Sequence, residues 1–541
     1  MKQFNIEKFM GVNKADNPKD LKPYECTDIK NVRITKESVL KRAGTTLKGT
    51  VGAGDVRNMQ AVRGIMTATL GTAVKSLSGT TWTSILTGIH ATRNTKFVEF
   101  PVAVAKGTPV TATITDISSN GYIITASGAS WTPNAYVNDI VRTLGQTTGA
   151  GQYRRIVLNT ATTLTLAEPL NTNTDASNTL YIEDPTDGTF FFNGGTPQKT
   201  VSATLASGTW TNFVNTGYTF QYATVYKNRV IGVKASSHTV YVSPLLTGED
   251  FPYEYEVAAG TTSYITGIYV FGDQLVIHKG DDGVWVGESD DTASSGAVFS
   301  FIERTEINGA LKQESIDVGE NIMFFASDRG IEWFNPLETN ELEGHLSLSD
   351  YKVPELRDST NTSAVGIAFD AKYYCAINSK VYIFDISRYL QLLQSGVKDP
   401  YVFLIDEGYT PLSFAALDGD LYIGAVSAVY THTGTTDNTV AIESYWEKDG
   451  ITYDKPSREK ALRMVVCGHA GAAATDNITI TSSTEKETNI LDTMTFAENV
   501  ELISGQRTKG KTHKIKLDIT NIGTGSLENC ELTSEIGKIV K

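Results

Sequence analysis

One phrase recurs along this chain with different letters. "AKYYCAINSKVYIFDIS" from Ala371 is answered by "NRVIGVKASSHTVYVSP" from Asn228, "DQLVIHKGDDGVWVGES" from Asp273, "ENIMFFASDRGIEWFNP" from Glu320 and "GDLYIGAVSAVYTHTGT" from Gly419. Each has a polar start, an apolar strand, a small polar turn and a second, aromatic-rich strand, so each reads as a β-hairpin. The starts lie roughly 45 to 51 residues apart, which fits a four-stranded propeller blade better than leucine-rich or helical repeats, most of which are shorter. One four-stranded sheet cannot bury both its faces. Stacked radially, each covers the next, and closing the ring removes exposed sheet edges. The repeat therefore predicts an all-β chain built as a β-propeller. Tyr241, Trp285, Trp333 and Phe384 are expected to pack between blades.

Further blades are read at Arg63 to Ile85 and in two separated halves, one beginning near Thr95 and one resuming near Asp187. The expected total is about seven blades, within a range of six to eight. The material between the halves, residues 106–184, reads as an inserted small β-barrel or sandwich of Thr-rich strands and Gly/Asn turns. Its stretch "GQTTGAGQY", Gly145 to Tyr153, has neither the GK[ST] ending nor the following helix of a phosphate loop, and is expected to be a hairpin loop. Residues 459–541 alternate with period two and predict a C-terminal β-sandwich. The expected organisation is an N-terminal strand region at 1–50, the propeller at 51–105 and 185–458, the insert, and the sandwich. Only "ISRYLQLLQSG", Ile386 to Gly396, reads as a short helix.

Composition bounds the chemistry. With 40% hydrophobic and 20% charged residues the chain is globular rather than disordered. Its net charge of −14 argues against gripping nucleic acid through phosphates, although DNA could still pass through such a protein. Cys26, Cys375, Cys467 and Cys530 are far apart, which argues against a disulfide framework or a thiolate metal site. Neither a signal-peptide core nor an 18-residue apolar run occurs, so no membrane span is expected, and folding in a cytoplasm is the simplest reading.

The seven histidines are scattered, and there is no HExxH or GxSxG. Cys467 and His469, two apart on a strand, fit sheet packing more simply than a metal fragment. "ASDRGIEWF", Ala326 to Phe334, is loosely like the structural turn of sialidases. Asp281, Asp282, Asp328, Asp418 and Asp420 fall in predicted turns, where Asp is favoured for its own hydrogen bonding. No catalytic, cofactor-binding or metal residues are assigned. The single basic cluster, Lys30, Arg33, Lys36, Lys41, Arg42 and Lys48, reads either as a solvated strand face or as an assembly surface.

The stretch carrying that cluster, "GVNKADNPKDLKPYECTDIKNVRITKESVLKRAGTT" from Gly11 to Thr46, resembles the opening of the tail nozzle proteins of short-tailed bacteriophages. These are also called tail tubular protein B or packaged-DNA stabilisation proteins. The family's Asn-Val strand and Leu-x-Arg-x-Gly ending match Gly11, Asn31, Val32, Leu40, Arg42 and Gly44 here, which become the candidate assembly motif. "GENIMFFASDRGIEWF", "GDLYIGAVSAVYTH" and "SREKALRMV" are similar to strands of the same family. The insert resembles a module that recurs in phage structural proteins, though not in every nozzle.

The resemblance implies a structural virion protein of the phage tail. It would form a homo-hexameric ring below the portal and adaptor, extend and close the DNA ejection channel, and hold tail fibres or spikes. DNA would cross its lumen without specific binding. The alternatives are a propeller-based receptor-binding or adhesin module and, less simply, a glycan-processing enzyme. A cyclic ring uses two different surfaces of each subunit. Removal of Met1 to Gly44 is therefore expected to leave a folded propeller that no longer assembles.

Overall fold

A computed structural model describes the chain except residues 1, 7–8, 36–37, 145–150, 172–177, 291–297, 305–307, 337–344, 358–362, 398–400, 452–459, 471–476, 485–487, 496–499, 503–508, 511, 521–525 and 537–541. It is nearly all β and propeller-like. The five recurring phrases become the same element each time, the second and third strands of a four-stranded antiparallel sheet. The pairs are Arg229–Lys234 with Thr239–Val242, Gln274–His278 with Val284–Asp290, Ile322–Ser327 with Gly330–Phe334, Lys372–Ile377 with Lys380–Asp385, and Asp420–Gly424 with Val426–Thr431. Four of the polar starts are two-residue turns with both φ angles positive: Lys227 and Asn228, Glu320 and Asn321, Asp370 and Ala371, Asp418 and Gly419. That turn geometry matches the right-handed twist of the strands it joins. Asn, Asp and Gly enter it with least strain.

Grouped by pairing, the described strands form seven four-stranded units in chain order. Unit 1 follows the N-terminal segment and unit 7 ends near Thr431. The first strands of successive units lie side by side except between units 4 and 5, which Tyr269 Oη joins by donating to Asp317, and those of unit 7 and unit 1 meet. One strand, Thr46–Val62, serves both ends of the ring. Its first half pairs with Val426–Thr431 of unit 7 and its second half with Ile65–Leu70 of unit 1. The aromatic residues lie between units as expected. Tyr241 packs on the core shared by units 2 and 3, and Trp285 on that shared by units 3 and 4. Trp333 and Phe384 join the core of units 5 and 6. Phe384 is 1% exposed, a burial that contributes about 1.5–3 kcal/mol.

Unit 2 is the split one. Its first two strands, Lys96–Thr113 and Thr179–Phe192, run without a break from the propeller into the insert. The pairing steps from Ala105/Glu183 to Val110/Ile182, so residues 106–109 bulge at the junction. Beyond it Ile124, Val141, Ile156, Leu164 and Leu180 form the insert's own core. Buried ion pairs Arg154–Asp250 (2.9 Å) and Arg229–Glu168 (2.5 Å) fasten the insert to unit 3. Tyr153–Asn159 pairs antiparallel with Ile140–Leu144, the two strands that the "GQTTGAGQY" stretch joins. Residues 145–150 of that stretch lie outside the described residues.

The C-terminal region is two sheets, and the N-terminal segment is woven into both. Lys2–Ile6 and Ser38–Lys41 pair with Ser526–Ile536, and Val32–Thr35 adds to Ser38–Lys41. Asp28–Lys30 pairs with Tyr445–Ile451 in the second sheet. Residues of both sheets, including Ile6, Val39, Trp446, Ile480 and Leu517, share one core with units 5 and 6. The segment expected at 1–50 as a separate region is thus part of the sandwich up to Lys41, and its expected end falls inside the strand Thr46–Val62. The predicted helix is present at Ile386–Gln394, where the Asp385 carboxylate accepts from the Arg388 N–H as its N-cap. Among the described residues no helix is long and apolar enough to cross a membrane.

Candidate functional site

The six motif residues gather at one place, but inside the protomer. Asn31 has a φ of 55°, a left-handed conformation that Asn tolerates better than most residues, and it is 2% exposed. Its amide makes three hydrogen bonds. Oδ1 accepts from Arg42 Nε (2.9 Å) and the Glu407 N–H (2.8 Å), and Nδ2 donates to the Glu443 carbonyl (2.8 Å). Arg42, also 2% exposed, forks onto Asp437 at 2.9 and 2.5 Å, donates to the Ala43 and Glu407 carbonyls, and lies over the Tyr409 ring. A planar five-donor fork suits this place and an ammonium does not.

Gly44 and Gly11 are needed for close approach. A Cβ would stand 2.1 Å from the Thr436 oxygen in the first case and 2.3 Å from the Phe403 oxygen in the second. Val32 fills the core. Leu40 is only half-buried, because on its short strand the side chain turned inward is that of Val39.

The basic cluster resolves the same way. Arg33 forks onto Asp406 at 2.8 and 2.7 Å, and Lys30 pairs with Glu443 and Glu407. Burial alone would push the Asp406 carboxyl up, but Arg33, with Arg42 behind it, outweighs burial and holds it below the usual carboxylate range. Tyr409 Oη adds a donor to Asp406 at 3.0 Å. His432 lies in the same network. Burial, and then the neighbouring Arg33, lower it to about 4. Lys36 lies outside the described residues. Neither expected reading of the cluster, solvated face or assembly surface, describes Arg33 and Arg42. They join the N-terminal segment to unit 6 and to the segment that follows unit 7 in the same chain. Sequence inspection could not pair them, because their partners lie some 400 residues away along the chain.

A second constellation was not anticipated. The first strands of all seven units line a cavity of about 300 Å³ on the axis of the ring. Lys96, Glu314 and Asp317 project toward it with Tyr222 and Tyr269. Burial raises the Glu314 carboxyl above its ordinary value, with Lys312 pulling the other way. Burial also raises Asp317, against three hydrogen bonds that favour its charged form. Lys96 is lowered by burial, against Asp317 and Glu314. The signal for this cavity was polar residues on otherwise apolar first strands, visible only when those strands are compared with each other.

The turn carboxylates do not converge. Asp282 accepts from the Ser263 N–H, and Asp328 from Asn308 Nδ2 (2.5 Å), each bridging a local loop. Cys467 and His469 lie on the strand Lys460–Ala470, with a register shift between Gly468 and His469. Among the described residues no three His, Cys, Asp or Glu side chains are placed to hold a metal ion.

Fold and site together define an all-β, propeller-like protein whose N-terminal segment is tied to residues 406–443 by a buried charged network and whose first strands line a small cavity of mixed polar and apolar walls. No protein-family model matches the sequence, and no curated protein does. Among solved structures it is similar to the extracellular domain of the one-component system BT4673 from B. thetaiotaomicron (8% identity, 88% of this chain and 76% of that one, TM-score 0.33). It is also similar to PorZ, a surface component of the type-IX secretion system of Porphyromonas gingivalis (11% identity, 92% and 76%, TM-score 0.31). A third is the glutaminyl cyclase of Myxococcus xanthus (9% identity, 39% and 88%, TM-score 0.20). At such low scores these likenesses carry no argument about function.

Proposed function

We propose that this chain is a structural protein of a short-tailed phage virion, the tail nozzle. Six copies form a ring below the portal and adaptor that extends and closes the DNA channel and supports fibres. The observation that carries the reading is the employment of the residues on which the resemblance rests. Gly11, Asn31, Arg42 and Gly44 each meet a close packing or bonding demand where the N-terminal segment meets unit 6 and the segment that follows unit 7. Each of the four thus has a structural employment in this chain, which supports the reading. Chain ends sewn into one core also suit a part that must transmit load. A net charge of −14 keeps passing DNA from adhering.

Sedimentation of the full-length chain, alone and with its adaptor protein, tests this. The expected species has six protomer masses. A chain that stays monomeric at every concentration, adaptor included, contradicts the reading. A second reading, a propeller-based receptor-binding module, draws on the axial cavity and is favoured by a monomer or trimer that binds cells or glycans.

A further inference from the structure

The axial cavity is lined by polar groups, nearly all of which are already committed. The Asn58 and Gln60 amides bind the Thr95 and Phe97 backbone of the next unit, and Gln313 Oε1 accepts from the Ile268 N–H. Asp317 accepts from the Val318 and Ala368 N–H groups and from Tyr269 Oη, at 2.8–2.9 Å. Two groups remain. Both carboxylate oxygens of Glu314 are buried, line the cavity and have no hydrogen-bond partner among the described residues. The Lys96 side chain lines the same cavity and feels the Asp317 and Glu314 charges, and among the described residues no ion pair joins it to either.

An acid whose oxygens are buried and a half-buried ammonium therefore line one cavity with opposite charges and no ion pair between them. Burying either charge unpartnered is costly. A simple cation would satisfy Glu314 but face Lys96, and a simple anion would do the reverse. A neutral sugar would offer hydrogen bonds but balance neither charge. A small zwitterion satisfies both at once. The cavity's volume, about 300 Å³, lies at the lower end of small-molecule sites and suits a ligand of amino-acid size rather than a nucleotide or oligosaccharide.

We propose that the axial cavity binds a free α-amino acid, with its ammonium on Glu314 and its carboxylate on Lys96. Tyr222 and Tyr269 flank the site and form part of its wall. The inference stands apart from the assembly reading, because it concerns the inside of one protomer's ring.

The test is calorimetric titration of the full-length chain with glycine, L-serine and L-glutamate. N-acetylglycine (no ammonium), ethanolamine (no carboxylate) and glucose serve as controls. At least one amino acid is expected to bind, with every control weaker by about tenfold or more, a difference of about 1.4 kcal/mol. Glu314→Gln and Lys96→Met are each expected to weaken it by a similar factor. Circular dichroism melts of both variants check folding, and Glu314→Gln is expected to melt no lower than the parent, since it removes a buried unpartnered acid. If a variant misfolds, the comparison of ligand with controls on the unaltered chain still decides. Absence of amino-acid binding at millimolar concentration overturns the proposal. So does equal binding of N-acetylglycine or ethanolamine, or a preference for glucose.

Discussion

Arg42 shows how much one side chain is asked to do. It satisfies an aspartate, an asparagine and two carbonyls that are otherwise withdrawn from water. Removing one partner of a buried pair costs about 3–5 kcal/mol, much of it for the group left behind. Asp437 keeps some solvent contact, so Arg42→Met is expected near the low end, about 3 kcal/mol, read as a shift of the first guanidinium transition. Arg42→Lys should rescue little, because one ammonium cannot replace the fork. A variant indistinguishable from the parent would remove this network from the account.

Two histidines lowered by burial make a pH prediction. His278 has its Nδ1 bonded to the Ala310 N–H, and burial lowers it to about 3; His432 is lowered to about 4. In the unfolded chain both titrate near about 6.5. Between those values the unfolded chain binds protons that the folded chain refuses. Their contribution is therefore complete above about pH 6.5 and shrinks as pH falls, by up to about 1.4 kcal/mol per pH unit for each. Denaturant midpoints measured from pH 7 down to pH 4.5 should decline, and His432→Gln should flatten the decline. An unchanged slope in His432→Gln contradicts its lowered value, whereas the raised Glu314 and Asp317 carboxyls act on the parent curve in the opposite sense.

At the scale of elements, local signals were legible and distant ones were not. The hairpins were readable because strand alternation and two-residue turns are written in adjacent letters, as in "FDAKYYCAI" from Phe369 to Ile377 and "NSK" directly after it. The helix Ile386–Gln394 was readable for the same reason, whereas the short helix Leu348–Lys352 was not. The strand Thr46–Val62 was misjudged as a boundary near residue 50. Its glycines, Gly49, Gly52 and Gly54, look like a linker but let one strand cross between two units. At Gly49, φ is 142° and a Cβ would stand 2.5 Å from the Thr80 oxygen. Gly49→Val should loosen ring closure by at least about 1–3 kcal/mol. Gly71→Asn, in an open turn, should be nearly silent. Limited proteolysis of units 1 and 7 distinguishes them, and equal resistance of the two variants would contradict the closure.

The N-terminal segment's pairing with strands near residues 445 and 530 was likewise out of reach of a local reading. Deleting Met1 to Gly44 takes four strands out of the sandwich. Hydrogen exchange should show the C-terminal sheets opening in that truncation, so loss of assembly there would report on folding as well as on contact.

For the whole molecule the central claim is a ring of six. Electron microscopy of the purified full-length protein, alone and mixed with its own portal–adaptor complex, tests it most directly. The account predicts sixfold rings, free or docked on the complex, with an open or plugged axial channel. Isolated discs that never join the portal complex would contradict it.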